Sequence, residues 1–207
     1  MVFLRRHFRL LLLAIAAILA ITVAPAARTL QEWLGLSLSP VQNGDHSDGL
    51  VVLKLLLLVA TANSAPLLLK WASGKQFAPL DGGVLFSDRR PLFGRSKTWA
   101  GLLCSIIATA VVAWALGLSL DAGVHAGAAA MVGDLASSFI KRRLAMPPSA
   151  PAPVLDQLPE AIFPLLVLRR FVAFSWMDFG VVLILFCFGE MAVAAGLARV
   201  GVREPPV

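Results

Sequence analysis

The chain has 207 residues, of which 58% are hydrophobic and only 14% charged, whereas soluble domains carry about 25% charged residues; the mean hydropathy is +0.82. This excludes a soluble enzyme, a disulfide-stapled secreted domain and a disordered tail, and at about 20 apolar residues per membrane helix the length holds about five or six spans. A net charge of +6 first suggests cytoplasmic loops obeying the positive-inside rule and then an anionic ligand; nucleic acid is not expected.

In chain order, the first apolar run is Leu10–Ala27, preceded by Arg5, Arg6 and Arg9. Its basic start and small residues also describe a signal peptide, but the run exceeds the usual signal core, so an uncleaved membrane helix is expected. A polar segment poor in Lys and Arg follows, as suits an outer loop. The second span is Leu50–Leu69, with Lys54 expected to snorkel from its outer end. Lys70–Lys97 is basic and interrupted by Gly and Pro, which predicts an ordered cytoplasmic loop. Thr98–Leu118 and Val124–Ile140 are the third and fourth spans, joined by a short link at Ser119–Gly123 that carries Asp121. After the Pro-rich Met146–Pro153, Leu158–Leu168 is short and reads either as a span or as a helix lying in the interface, and Phe179–Val200 is a clear span. The expected fold class is therefore all-α: a polytopic integral membrane protein of about six helices, with residues 1–49 as an N-terminal membrane helix and external loop and residues 50–207 as the core. Cys104 and Cys187 lie in apolar runs and indicate neither a disulfide framework nor a zinc site.

Ionisable groups in or at the mouth of membrane helices are costly, so they mark functional candidates. The richest group is Gly133 to Arg143, where Asp134, Ser138 and Arg142 follow one helical face at four-residue spacing with Ser137 and Lys141 beside them. Anchoring explains Lys141, Arg142 and Arg143, but not a carboxylate inside an apolar helix; a carboxylate there with cations at its edge could hold a metal and a polyphosphate. A second group, Phe93 to Gly101, sets Gly94, Ser96, Lys97 and Thr98 at a helix start, where backbone N–H groups can bind phosphate. It lacks Walker A spacing, and interface anchoring by Lys97 and Trp99 is its plain alternative. Third, Asn63 to Pro66 breaks the second span, which fits either a polar cavity or a packing kink. Asp156 and Gln157 precede a hydrophobic segment, and alone Asp156 is no more than a helix cap. Glu190 in the last span is a further candidate to face the same cavity, with nothing local to support it.

Taken in order, these groups resemble the CDP-archaeol synthase family, membrane cytidylyltransferases related to CDP-diacylglycerol synthases. The resemblance covers approximately Leu50 to the C-terminus and rests on five pieces: Asn63 and Pro66; Pro79, Asp81 and Gly83; Asp88, Arg89 and Arg90 leading to Gly94, Lys97, Thr98 and Gly101; Gly133, Asp134, Ser138, Phe139, Lys141, Arg142 and Arg143; and Pro153, Asp156, Gln157 and Leu158. Arg89 stands where the family usually has glycine, and Ala100 where it often has arginine. Leu10–Ala27 looks like an addition to a five-helix family core.

The resemblance implies attack of a lipid phosphate, archaetidic-acid-like or phosphatidate-like, on the α-phosphorus of CTP, giving a CDP-lipid and pyrophosphate. It implies Mg²⁺ held by Asp134 and Asp156, with Lys97 and Lys141 also catalytic. Gly94, Thr98, Ser138, Arg142, Arg143 and Gln157 would join the two lysines in binding the CTP phosphates, and Asn63, Pro66, Asp81, Asp88 and Arg90 would line the head-group cavity. The expected partners are CTP, the lipid phosphate and the bilayer, with a homodimer left open. The expected site is the cytoplasmic membrane, active face inward. The alternatives are a CTP-dependent polyprenol kinase and a small anion transporter; the transporter would show broken helices in two repeat halves, and no repeat is visible.

Overall fold

The computed structural model describes residues 49–147 and 152–199; the run Leu10–Ala27, the outer segment after it and Ser149 in the Pro-rich loop lie outside the described residues. The described residues form five helices: α1 Gly49–Ser73, α2 Trp99–Ala115, α3 Leu120–Arg143, α4 Pro153–Leu168 and α5 Trp176–Arg199. Strand pairing among them is confined to the isolated bridges Pro79–Thr98 and Leu85–Pro91.

By length and composition, α1 and Trp176–Gly196 of α5 can cross a membrane, and α2 is a shorter apolar helix. On α2 the exposed large residues Leu103, Ile107, Val111 and Trp114 recur at helical spacing, an apolar face turned outward as lipid contact requires. The core is assembled from Leu55 and Leu58 of α1, Ala113 of α2, Ala161, Leu165 and Leu168 of α4 and Val182 of α5, all fully buried. Leu158–Leu168 is thus part of a helix packed in the bundle, α4, whose core residues are shared with α1 and α5. Lys54 also differs from expectation: it is 3% exposed and turned into the bundle.

Helix ends follow their capping residues. The Thr98 and Ser119 hydroxyls accept from the N–H groups of Gly101 and Ala122, which satisfies donors that no helix can satisfy internally. Gly117, at φ +77, closes α2 with bonds from its own N–H to the Trp114 carbonyl and from Leu118 to the Ala113 carbonyl, a glycine cap of the Schellman type. The turn between α2 and α3 is therefore Leu116–Ser119, and Asp121 falls in the first turn of α3. Ser175 and Asp178 cap α5 reciprocally through backbone and side chain.

Two packing devices bring the helices close enough to share a site. Pro66 lacks the N–H that would reach the Ala62 carbonyl; Ser105 of α2 supplies the missing donor at 2.7 Å. The other device is the glycines of α3, two turned to α2 and one to α4. A Cβ on Gly123 would stand 2.5 Å from the Ala110 Cα, one on Gly127 would stand 2.8 Å from the Ile106 Cα, and one on Gly133 would stand 2.3 Å from the Pro159 carbonyl oxygen. Small residues of this kind let membrane helices approach backbone to backbone.

Candidate active site

A cavity of about 890 Å³ opens where α1, the 75–80 and 95–98 segments, α3, α4 and the last helix meet. Its wall carries Asn63 and Pro66; the expected break there is not seen, since α1 runs unbroken through Pro66, but the residues of that stretch do face the cavity. Lys97 and Thr98 come from the approach to α2, Asp134, Ser138, Lys141 and Arg142 from α3, and Asp156 from α4.

Lys97 is fixed before its side chain is considered. Its N–H reaches the Gly94 carbonyl at 3.2 Å, its carbonyl accepts from Leu80 at 2.7 Å, and Trp99 donates to Ala78. The lysine therefore leaves a pinned backbone, and its Nζ pairs with the Asp134 carboxylate. A second pair lies one helical stretch further on: Lys141 Nζ sits 2.9 and 3.0 Å from the two oxygens of Asp156. Both acids and both lysines border the cavity, an alternation of sign that can exchange partners when a phosphate and its counter-cation arrive.

The basic triplet at the end of α3 divides three ways because successive helix residues are about 100° apart. Lys141 turns to Asp156. Arg142, 7% exposed, lines the cavity and donates to the carbonyls of Met146 and Pro147 at 3.1 and 3.4 Å. Arg143 turns away from the cavity to the 84–91 hairpin, donating to Asp88 Oδ1 at 2.8 Å and to the Pro91 carbonyl at 2.7 Å, and stacking over Phe86 and Phe139.

Asp88 and Arg90 lie with Arg143 and off the cavity wall. Asp81 is buried behind the loop, where it accepts from the N–H groups of Gly83, Phe93 and Gly94 at 2.9–3.0 Å. Burial pushes its pKa up, but those three backbone donors outweigh it and hold the carboxyl below its ordinary value. It fastens the two ends of the loop, and Gly94 at φ +100 is the turn that presents its N–H. Gln157 is buried and off the wall.

Two acids join the site beyond Asp134 and Asp156. Glu160 of α4 lines the cavity and hydrogen-bonds Asp134, and Glu190 of α5 lines it as well. Glu160 lies four residues after Asp156, and that spacing on one helix face was the available signal. Lys70, Lys75 and Arg95 add positive charge to the same wall. Among the described residues no three His, Cys, Asp or Glu groups stand ready to enclose a metal by themselves.

Comparison with known proteins bears on this geometry. A CDP-archaeol synthase of Hyperthermus butylicus is 45% identical over 103 residues, covering 47% of this chain and 59% of that one. Its counterpart in Staphylothermus marinus is 33% identical over 116 residues, covering 53% and 63% respectively. The chain thus spans about three fifths of the length of these curated relatives. A solved structure of an intramembrane enzyme for archaeal membrane lipids biosynthesis aligns with a TM-score of 0.62 and 29% identity, over 72% of this chain and 95% of that one. The model of the CarS-like family, CDP-archaeol synthase, matches residues 49–198, from the first residue of α1 to within one residue of the end of α5, and with that match the chain belongs to the CDP-archaeol synthase family.

Proposed function

We propose that this protein transfers the cytidylyl group of CTP to a membrane lipid phosphate, with an ether-linked isoprenoid glycerol phosphate as the first candidate acceptor. The observation that supports this reading most is the pairing of Lys97 with Asp134 and Lys141 with Asp156 on one cavity wall. An oxygen of the lipid phosphate attacks the α-phosphorus; the new P–O bond forms as the bond to the β-phosphate oxygen breaks, and pyrophosphate leaves. The nucleophile is already ionised, so no general base is required, and rate comes from position and charge.

Lys97 and Lys141 release their carboxylates to bind phosphate oxygens and neutralise the leaving pyrophosphate, helped by Arg142. The donor set fits Mg²⁺, which takes one or two carboxylates together with substrate phosphates and water; Asp134 and Asp156 would hold it, and when bound it would screen the repulsion between triphosphate and lipid phosphate. Thr98 and Ser138 serve the phosphates, whereas Gly94, expected there too, lies off the cavity wall with its N–H given to Asp81; Asn63, whose Oδ1 has no protein partner, offers an acceptor to the substrate's donors. Residues 50–207 are read as the catalytic unit and residues 1–49 as an added helix and external loop, for six spans in all, with the cavity facing the cytoplasm.

Purified protein incubated with Mg²⁺, [α-³²P]CTP and a panel of lipid phosphates, phosphatidate included, tests the reading. Radiolabel in lipid from the α position, with release of pyrophosphate, is expected. Label only from [γ-³²P]CTP would mean a kinase, and label from neither would remove the proposal.

A further inference from the structure

We propose that Asp88, Arg90 and Arg143 touch no substrate and instead form a two-way clasp that sets the position of Lys97 relative to Lys141 and Asp134; this rests on the cytidylyltransferase reading. The clasp closes in both directions. From the hairpin, Arg90 Nη1 donates to the carbonyls of Arg142 and Arg143 at 3.3 and 2.8 Å, at the end of α3 where carbonyls run out of full helix partners; the Arg142 carbonyl also accepts from the Ala145 N–H at 3.2 Å. From the helix, Arg143 donates to Asp88 and to the Pro91 carbonyl, and its guanidinium sits 4.7 Å from the Phe86 ring centre and 4.9 Å from that of Phe139. The two rings meet edge to face at 5.5 Å.

The geometry leaves Arg143 no free reach toward a triphosphate. Both of its terminal nitrogens are engaged, and none of the three clasp residues borders the cavity. What the clasp does control is the loop. The hairpin runs directly into the Asp81 fastening at Phe93 and Gly94 and then into Lys97. Fixing residues 88–91 to the last turn of α3 therefore fixes the origin of Lys97 against the helix that carries Asp134 and Lys141. Misplacement by about 1 Å is enough to cost about 10²-fold in a positioned reaction.

The test combines turnover with a probe of the loop. Asp88→Asn, Arg143→Ala and the double variant are each expected to lower kcat by about 10-fold while the KM for CTP stays within about 3-fold, with the double variant no worse than the worse single one. Arg143→Lys should not rescue, because one ammonium cannot span both the Asp88 carboxylate and the Pro91 carbonyl. Tryptic cleavage after Arg89 or Arg95 should quicken in all four. If Arg143→Ala does not fold, Asp88→Asn, an exposed change, decides by the same two readouts. The proposal is overturned if Arg143→Ala raises the KM for CTP alone, Arg143→Lys restores it, and cleavage stays at the wild-type rate. If the wild type makes no CDP-lipid, the reaction reading falls, but the cleavage rates still decide whether the clasp holds the loop.

Discussion

At Asp134 three elements converge: α3 supplies the carboxylate, the approach to α2 supplies Lys97, and α4 brings Glu160 within hydrogen-bonding reach. Asp134→Asn keeps the size but removes the charge that would hold Mg²⁺ and Lys97. Turnover measured with [α-³²P]CTP should fall by at least about 10²-fold, and each 1.36 kcal/mol is tenfold. Val132→Ala, on an exposed face of the same helix, should remain within a few-fold of wild type. Retained turnover in Asp134→Asn across Mg²⁺ concentrations would make the carboxylate structural. A second residue carries visible strain. Arg89 sits at φ +61, a conformation that costs a residue with a Cβ about 1–2 kcal/mol. Arg89→Gly should therefore raise the melting temperature, offset partly by glycine's greater freedom when unfolded; a lower melting temperature would mean that the arginine side chain contributes more than the strain removes. Residue type and motif singled out Asp134, Lys97, Lys141 and Asp156, yet the same motif cannot say that Arg143 points away from the cavity, because that depends on where the 84–91 hairpin packs.

Between elements, the decisive contact is α3 against α4 at Gly133. Pro159 and Glu160 lie so close that a methyl group would meet a backbone carbonyl, which cannot rotate aside. Gly133→Ala should push α4 outward, separate Lys141 from Asp156 and Asp134 from Glu160, lower turnover more than about 10-fold and destabilise by about 1–3 kcal/mol, the usual cost of overpacking. Gly189→Ala meets nothing within 4 Å and should leave turnover unchanged and thermal stability no lower than wild type, since alanine is the better helix residue; equal losses in both variants would show a general helix effect. Hydropathy placed four of the five described helices to within four residues at each end, since apolar length sets a membrane span, but α4 begins five residues before its apolar run at Leu158. It could not reveal the glycine contacts, which depend on facing helices far apart in sequence. Nor could it show that Ser105, outside every motif, completes the hydrogen bonding of α1 at Ala62.

Across the whole molecule, the loop carrying Lys75, Arg89, Arg90, Arg95 and Lys97 lies at one end of the bundle and Asp121 at the other. With the loop in the cytoplasm, Ser87→Cys should resist an impermeant thiol reagent in intact cells and react after lysis. Asp121→Cys, whose native side chain is 67% exposed, should react in both. The reverse pattern would invert the orientation on which CTP access depends.

The short helices beside the cavity have a further consequence. α2 has 17 residues and α4 has 16, lengths of about 26 and 24 Å at 1.5 Å per residue, against a hydrocarbon layer of about 30 Å. Lipids touching them must thin or the helices must leave polar ends immersed. Local thinning would draw the head groups down toward the cavity carboxylates, so the surrounding lipid itself would shorten the path by which a phosphate reaches them. Turnover in vesicles should then decline as acyl chains lengthen from 14 to 22 carbons at constant head-group composition; a flat profile would show that the helices meet the mismatch without deforming the bilayer.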